Sequence, residues 1–359
     1  MAANPIVPSC RGDESRSLLF ECHARTEIWT AGEGRTNDRL RMTSLLGGIR
    51  WWAEAVVRGF GIRACDPVTS PCNKTRLCLI CELFGNAAVP QAAKFAMRVW
   101  KDVQRKELFT SPLLSGSTVF LEFYFYRDPE QYEQYLLIKT LNLISLLGSI
   151  GGRTTRKPTR PDRAQNHDRG WPERHKDYGL LAIKGIGNAS AHERAKYKDE
   201  FEREMQAKAQ TDPNRSNSLP SLTNFWFIRK KTLFVHPTTM NGPDSINNLL
   251  GLQDTLAAGP RIETREWDDG FDDLRKGLRG YPDSSPNKRS KRVFSFGSMG
   301  DTANARTWGY VLDPKLLTML PEVLHQVGIE TTETLMGPDA RDLQLVDLKD
   351  SPSAPARRA

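Results

Sequence analysis

Cys65-Asp66-Pro67-Val68-Thr69-Ser70-Pro71-Cys72-Asn73-Lys74-Thr75-Arg76-Leu77-Cys78-Leu79-Ile80-Cys81 holds four of the six cysteines of the chain, at the spacing C-x6-C-x5-C-x2-C. A C-x2-C pair turns two thiolates toward one ion across a tight turn, and two more thiolates complete a tetrahedron. The interleaved Pro, Asn, Lys and Arg do not make an apolar core. The stretch therefore reads as a structural zinc site with Cys65, Cys72, Cys78 and Cys81 as ligands. The metal would lock an insert, about residues 62–85, that is too short to bury a core of its own. Four thiolates leave no open coordination position, which argues against catalytic zinc. Cys10 and Cys22 lie apart and read as plain thiols, Cys22 as a buried one on a strand.

Before the insert, Leu45, Leu46, Ile49, Trp52, Ala53 and Val56 recur at helical spacing and make one apolar face. Arg50, Glu54 and Arg58 make a polar stripe beside it, and Gly59 and Gly61 end the helix. Asp38, near the start, reads as a helix cap rather than a base or metal ligand. Residues 17–30 alternate as a strand running into a glycine turn at Gly32 and Gly34. After the insert come a strand over 94–103 and a clearer one over 119–126. In the latter Val119, Leu121, Phe123 and Phe125 alternate with Phe120, Glu122, Tyr124 and Tyr126. A helix over 131–147 breaks at Gly148-Ser149-Ile150-Gly151-Gly152-Arg153, which opens a basic, proline-rich loop to Lys176. This order, closed by a strand over 178–183, predicts an α+β ferredoxin-like unit.

Residues 191–208 read as a solvated charged helix, and 211–219 as a junction. The second half predicts a strand over 224–235, a short helix over 245–252, an amphipathic segment over 270–280 and a loop at 288–292. A strand over 308–312 and a helix over 315–327 close it. The tail beyond Gly337 reads as disordered.

With 359 residues the chain has room for two domains. Lys and Arg number 51 against 43 Asp and Glu, a net charge of +8 that suits a polyanion partner. From Arg153 to Lys176 there are eight basic residues against three acidic ones. No apolar run approaches the ~20 residues of a membrane span. Met1 to Arg16 has no signal-peptide shape, so the expected location is the cytoplasm, where clustered thiols favour metal over disulfides.

The run Gly47-Gly48-Ile49-Arg50-Trp51-Trp52-Ala53-Glu54-Ala55-Val56-Val57-Arg58-Gly59, then Cys65-Asp66-Pro67 and Leu83-Phe84-Gly85, resembles the RAMP superfamily of CRISPR RNA-binding proteins. Within it the likeness is to the first RAMP subunit of type III-B Cmr complexes. Thr26-Glu27-Ile28-Trp29-Thr30-Ala31-Gly32 is similar to that family's first strand and turn, and Gly148 to Arg153 sits where the family carries its glycine-rich loop. The likeness spans roughly residues 18–155. It implies two tandem ferredoxin-like (RRM-like) RAMP domains, over 1–210 and 211–336, with the cysteine insert and the loop at 148–176 in the first and a disordered tail over 337–359. It also implies a subunit without cleavage activity at one end of a ribonucleoprotein, holding guide RNA and target RNA beside other RAMP subunits.

On that reading the RNA-contact candidates are Arg41, Arg50, Trp51 and Arg58 on the helix and Gly148, Gly151, Gly152, Arg153, Arg156, Lys157 and Arg160 in the loop. Arginines on a rigid helix meet phosphate bidentately, and glycine lets backbone N–H groups approach it. Trp51 can stack on a base or pack at an interface. One alternative is a RAMP-family RNA endonuclease, which needs an acid–base pair near the loop; His167 and His175 lie there, at no recognisable spacing. Another is a zinc-stabilised interaction module unrelated to RNA.

Overall fold

The alternation seen in the sequence over 119–126 becomes β3 (Thr118–Phe125), an inner strand of a four-stranded antiparallel sheet. β3 pairs on one side with β1 (Ser17–Ala24) and on the other with β2 (Phe95–Trp100), and β4 (Leu181–Ile186) pairs with β1. The order is β2-β3-β1-β4. α1 (Met42–Gly59) lies between β1 and β2 in sequence, and α3 (Gln131–Leu146) between β3 and β4, so the unit is βαββαβ. The short α2 (Leu79–Phe84) belongs to the cysteine insert. The computed structural model describes residues 16–30, 36–66, 70–73, 75–87, 89, 91–152, 177–186, 191–214, 219–229, 274, 277, 278, 292–297, 305–326 and 334–342.

A second unit repeats the plan. β5 (Phe225–Arg229), β6 (Val293–Phe296), β7 (Arg306–Tyr310) and β8 (Thr334–Met336) form a sheet of order β6-β7-β5-β8, which is the same second-third-first-fourth order. The pairs are again antiparallel. The fold is therefore α+β with two ferredoxin-like sheets in tandem, as expected.

Four elements depart from expectation. β6 and β8 have four and three residues, too short for alternation to register. α4 (Ala191–Thr211) is charged overall but not simply solvated: Phe201 and Met205 are buried, and Phe201 packs on Tyr135 of α3 at 4.7 Å and on Phe60 at 5.1 Å. Gly337–Asp342, placed in a disordered tail, is a short helix (α5) that buries Ala340. The expected helix at 245–252, residues 153–176 and residues 343–359 lie outside the described residues.

Each sheet has one face against its own helices. In the first, Phe20, Val119, Leu121, Phe123, Phe125 and Ile183 point into the core with Leu45, Ile49 and Val56 of α1. α3 is started by a reciprocal cap: the Glu130 side chain accepts from the N3 backbone, and Glu133 Oε2 accepts from Glu130 N at 3.2 Å. Glu133 is fully buried, and Lys94 and Arg127 pair with it. In the second sheet, Trp226, Ile228 and Val293 pack with Leu274, Leu278, Leu320 and Leu324.

The two units meet through aromatic rings. Trp52 lies 5.5 Å from Phe225 and 5.1 Å from Trp308; Trp51 lies 5.9 Å from Phe225 and 5.8 Å from Tyr310. The rings from β5 and β7 stand on the face of the second sheet turned away from its own helices. Trp52 Nε1 donates to Ser149 O at 2.9 Å, and the indole packs on Gly148, where a Cβ would come within 2.5 Å of the ring. Arg306 reaches from β7 to donate to Ser145 O at 2.8 Å, so a cation of the second unit sits at the C-terminal end of α3, where the helix dipole favours positive charge.

We expect Trp52→Ala to destabilise the chain by about 3–5 kcal/mol, the range for emptying a large buried aromatic site. Chemical denaturation with intrinsic fluorescence and circular dichroism read together measures this.

Candidate metal centre and nucleic-acid interface

The polar stripe of α1 is not solvated. Glu54 and Arg58 are buried, and the cysteine insert lies against them. Arg50 donates from Nε to Glu54 Oε1 at 3.0 Å, from Nη1 to Gly85 O at 2.7 Å and from Nη2 to Cys81 Sγ at 3.4 Å. Arg58 donates from Nε to Ala64 O at 3.1 Å and from Nη2 to Cys65 O at 3.2 Å and Glu54 Oε2 at 3.4 Å. Its Nη1 reaches Pro220 O at 3.0 Å, just before the second unit. The stripe is thus a ladder, Arg50–Glu54–Arg58, half-buried at Arg50 and buried at Glu54 and Arg58, that fastens the insert to the helix. Burial pushes Glu54 above the usual carboxylate range and lowers Arg58, against the opposing pull of their mutual charge.

The four cysteines come together. Their sulfurs all lie within 4.8 Å of one another, and all four residues are buried. A tetrahedron of ~2.3 Å Zn–S bonds has edges of about 3.8 Å, so the cluster has the size of a four-thiolate site. Cys65 Sγ and Cys81 Sγ are 3.4 Å apart. Cys72 Sγ accepts from Cys78 N at 3.2 Å, and Cys81 Sγ from Asn86 Nδ2 at 3.3 Å. Arg63 Nη1 stands 3.8 Å from Cys72 Sγ while its Nε donates to both carboxylate oxygens of Asp212 at 3.0 Å. Hydrogen bonds from Cys65 and Cys81 hold Cys78 far below the ordinary thiol range, and the same pairing pushes Cys65 up. Four thiolates on a divalent ion carry net negative charge; Arg50 and Arg63, with donors on the sulfurs, offset it. The residues can hold one metal ion. Cys22, by contrast, is a single buried thiol pushed up to about 12 by burial.

The RNA-contact candidates separate. Arg50 and Arg58 turn into the insert rather than outward, which corrects the expectation for them: the insert covers the stripe. Trp51 packs between the units. Asp38 does not cap α1; Arg41 holds the cap position without a side-chain cap bond, and its Nη2 donates to Asp38 Oδ1 at 3.1 Å. In the glycine-rich loop, Gly148 N donates to Leu143 O at 2.8 Å, Ile150 N to Gly179 O at 2.8 Å and Gly152 N to Trp29 O at 2.8 Å. Those three N–H groups work inside the chain rather than toward a phosphate. Gly151 has φ +109° with Trp29 O 2.9 Å from where a Cβ would be, so glycine there serves close packing as well as turning. Arg153, Arg156, Lys157 and Arg160 lie outside the described residues, as do His167 and His175.

Sequence reasoning missed Glu122. It sits buried in the middle of the helix-free face of the first sheet and accepts from Ser17 Oγ at 2.7 Å, Trp100 Nε1 at 2.8 Å and Arg105 Nη1 at 2.9 Å. Arg98 Nη1 is 4.0 Å away. Arg105, at φ 58°, is the one positive-φ non-glycine among the described residues, and that turn brings its guanidinium to the carboxylate. The strand alternation placed Glu122 opposite the core, and a charged residue between Phe120 and Tyr124 was the signal available.

Residues 21–156 match the family model of the RAMP superfamily. That match falls within the first unit. Among solved structures, the chain is similar to Cmr1 from Pyrococcus furiosus in its apo form, at 15% identity and a TM-score of 0.39, covering 82% of this chain and 87% of that one. It is also similar to a chain of the type III-B Cmr-beta complex bound to cognate target RNA, at 11% identity and a TM-score of 0.41, covering 87% and 100%. A chain of a type IV-B CRISPR complex matches at 11% identity and a TM-score of 0.30, covering 48% and 92%. Likenesses this distant place no residue and assign no activity. No protein of curated function matches the sequence. Among the described residues, no helix is long and apolar enough to cross a membrane.

Two outcomes follow from this geometry. Protein purified without chelator should carry about one metal equivalent per chain, and Cys78→Ser with Cys81→Ser should lose it; elemental analysis decides, and unchanged metal in the double variant overturns the ligand set. Glu122 is pushed up by burial, but bonds from Ser17, Arg105 and Trp100 outweigh this and leave it below the usual carboxylate range. A depressed carboxyl stabilises the fold above its unfolded pKa and loses that contribution as pH falls through the folded value. Below about pH 5, wild-type stability should therefore fall more steeply than that of Glu122→Gln, measured by denaturation across pH.

Proposed function

We propose that this chain is a non-catalytic RNA-binding and assembly subunit of a type III-B CRISPR ribonucleoprotein, acting in the cytoplasm. It helps hold guide RNA and target RNA at one end of the complex, beside other RAMP subunits. The observation that carries the reading is the RAMP-superfamily match over residues 21–156, joined to the motif residues from Gly47 to Gly59 and from Gly148 to Arg153. The basic excess from Arg153 to Lys176 supports phosphate contact by that segment. The metal we assign to Cys65, Cys72, Cys78 and Cys81 is zinc in a structural role, because four thiolates suit it and leave no position for an activated water.

The absence of chemistry is part of the proposal. Among the described residues, the buried carboxylates Glu54, Glu122 and Glu133 are engaged by Arg50 and Arg58, by Arg105, and by Lys94. Asp38 pairs with Arg41, and His23 Nδ1 meets Thr118 Oγ1 at 3.2 Å. These arrangements supply no acid and base facing one reacting atom, which favours a scaffold over the endonuclease reading.

Arg153→Ala with Arg156→Ala should weaken binding to single-stranded RNA across sequences and flatten its salt dependence, because phosphate contacts release counterions. Filter binding over a salt series measures this, and wild-type affinity in that variant would remove the loop from the RNA path. In an assembled complex, alanine at His167, His175 or Asp38 should leave cleavage of target RNA within about threefold, against the ~10²–10⁴-fold typical of a lost general acid or base. A loss of the larger size with RNA binding intact would favour the endonuclease.

A further inference from the structure

The two sheets share one strand order but use their helix-free faces differently. In the second sheet that face carries Phe225, Trp308 and Tyr310, and Trp51 and Trp52 of α1 fill it. In the first sheet the equivalent face carries Phe120, Glu122 and Tyr124 on β3 and Arg98 and Trp100 on β2. The pairs Arg98↔Glu122 and Trp100↔Phe120 place them side by side. Helices α1 and α3 lie on the other side. Phe120 and Tyr124 are half-exposed, and Tyr126, next in the same alternation, is 63% exposed.

An inner strand of an antiparallel sheet that shows a row of half-exposed rings is the device by which RRM-type sheets stack the bases of single-stranded RNA. Tyr124 and Tyr126 are two residues apart, so their rings stand about 7 Å from each other along the strand. Arg98 lies over the Tyr124 ring at 5.7 Å, and a guanidinium plane extends a stacking surface while adding charge. The acid in the middle of the face is answered from within: Glu122 is buried under Arg105 and Arg98. Across the face the cations Arg98, Arg105 and Lys184 stand against the carboxylates Glu21 and Glu122, a positive excess that suits phosphate. Lys184 is exposed.

We infer that this face binds a segment of single-stranded RNA, with bases stacked on Tyr124 and Tyr126, Phe120 continuing the row and Arg98 beside the backbone. This is a second RNA contact, distinct from the loop beginning at Gly148, and it rests on the RNA-binding reading above. A duplex does not suit it, since paired bases offer no free ring face.

The test uses the full chain and a labelled single-stranded polyuridine oligonucleotide. Tyr124→Leu with Tyr126→Leu should lower affinity about 10- to 100-fold at fixed salt, the effect of losing base–aromatic stacking. The slope of log affinity against log salt should stay unchanged, because stacking releases no counterions. Tyr124→Phe with Tyr126→Phe keeps the rings and should bind within about twofold of wild type. The proposal is overturned if the leucine pair binds like wild type while Arg153→Ala with Arg156→Ala loses binding, a result that leaves the proposed function standing. It is overturned equally if the phenylalanine pair loses as much as the leucine pair, or if the leucine pair loses subunit assembly with RNA affinity intact, which would make the face a protein contact. A wild-type chain that binds no single-stranded RNA sinks both readings.

Discussion

Glu54, held between the guanidiniums of Arg50 and Arg58 inside the protein, is the contact on which the rest of the molecule depends. Removing one member of such a buried set leaves an uncompensated charge and typically costs about 3–5 kcal/mol. Here the damage would not stay local. Arg50 also holds Gly85 and Cys81, and Arg58 also holds Ala64, Cys65 and Pro220. One ladder on one helix therefore joins three parts of the chain: the first core, the cysteine insert and the entry to the second unit.

α1 is in consequence a helix with little left for solvent. Its apolar face closes the first sheet, its polar stripe lies under the insert, and its Trp51–Trp52 edge fills the aromatic face of the second sheet. The cysteine cluster, the domain contact and the main core all share this one element. The glycine-rich loop belongs to the same arrangement, since Gly148 lies against Trp52 and Ser149 accepts its indole N–H.

The sequence carried the period of the elements better than their surroundings. The alternation in β3, the 3.6-residue recurrence in α1 and the cysteine spacing were all readable because each is a local pattern set by backbone geometry. The burial of Arg58 and the inward turn of Arg50 are not readable: arginine, glutamate and arginine four apart look the same under solvent or under an insert that folds back from later in the chain. The same limit applies to the glycines. Gly148 reads as a helix stop, and only the fold reveals the indole it must clear. Trp51 stood at an ambiguous helical angle, and the second sheet decided its partner. β6 and β8 take their existence from the neighbours they pair with more than from their own few residues.

The bond from Arg58 to Pro220 has a temporal side. Synthesis runs from the N-terminus, and domains generally fold in that order. The carbonyls of Ala64 and Cys65, which orient the Arg58 guanidinium, leave the ribosome long before Pro220 does. The nascent first domain can thus hold that guanidinium in place, with its Nη1 amino group still unclaimed, until the linker arrives to take it. The docking of the second unit then begins from a prepared donor rather than from a mobile side chain.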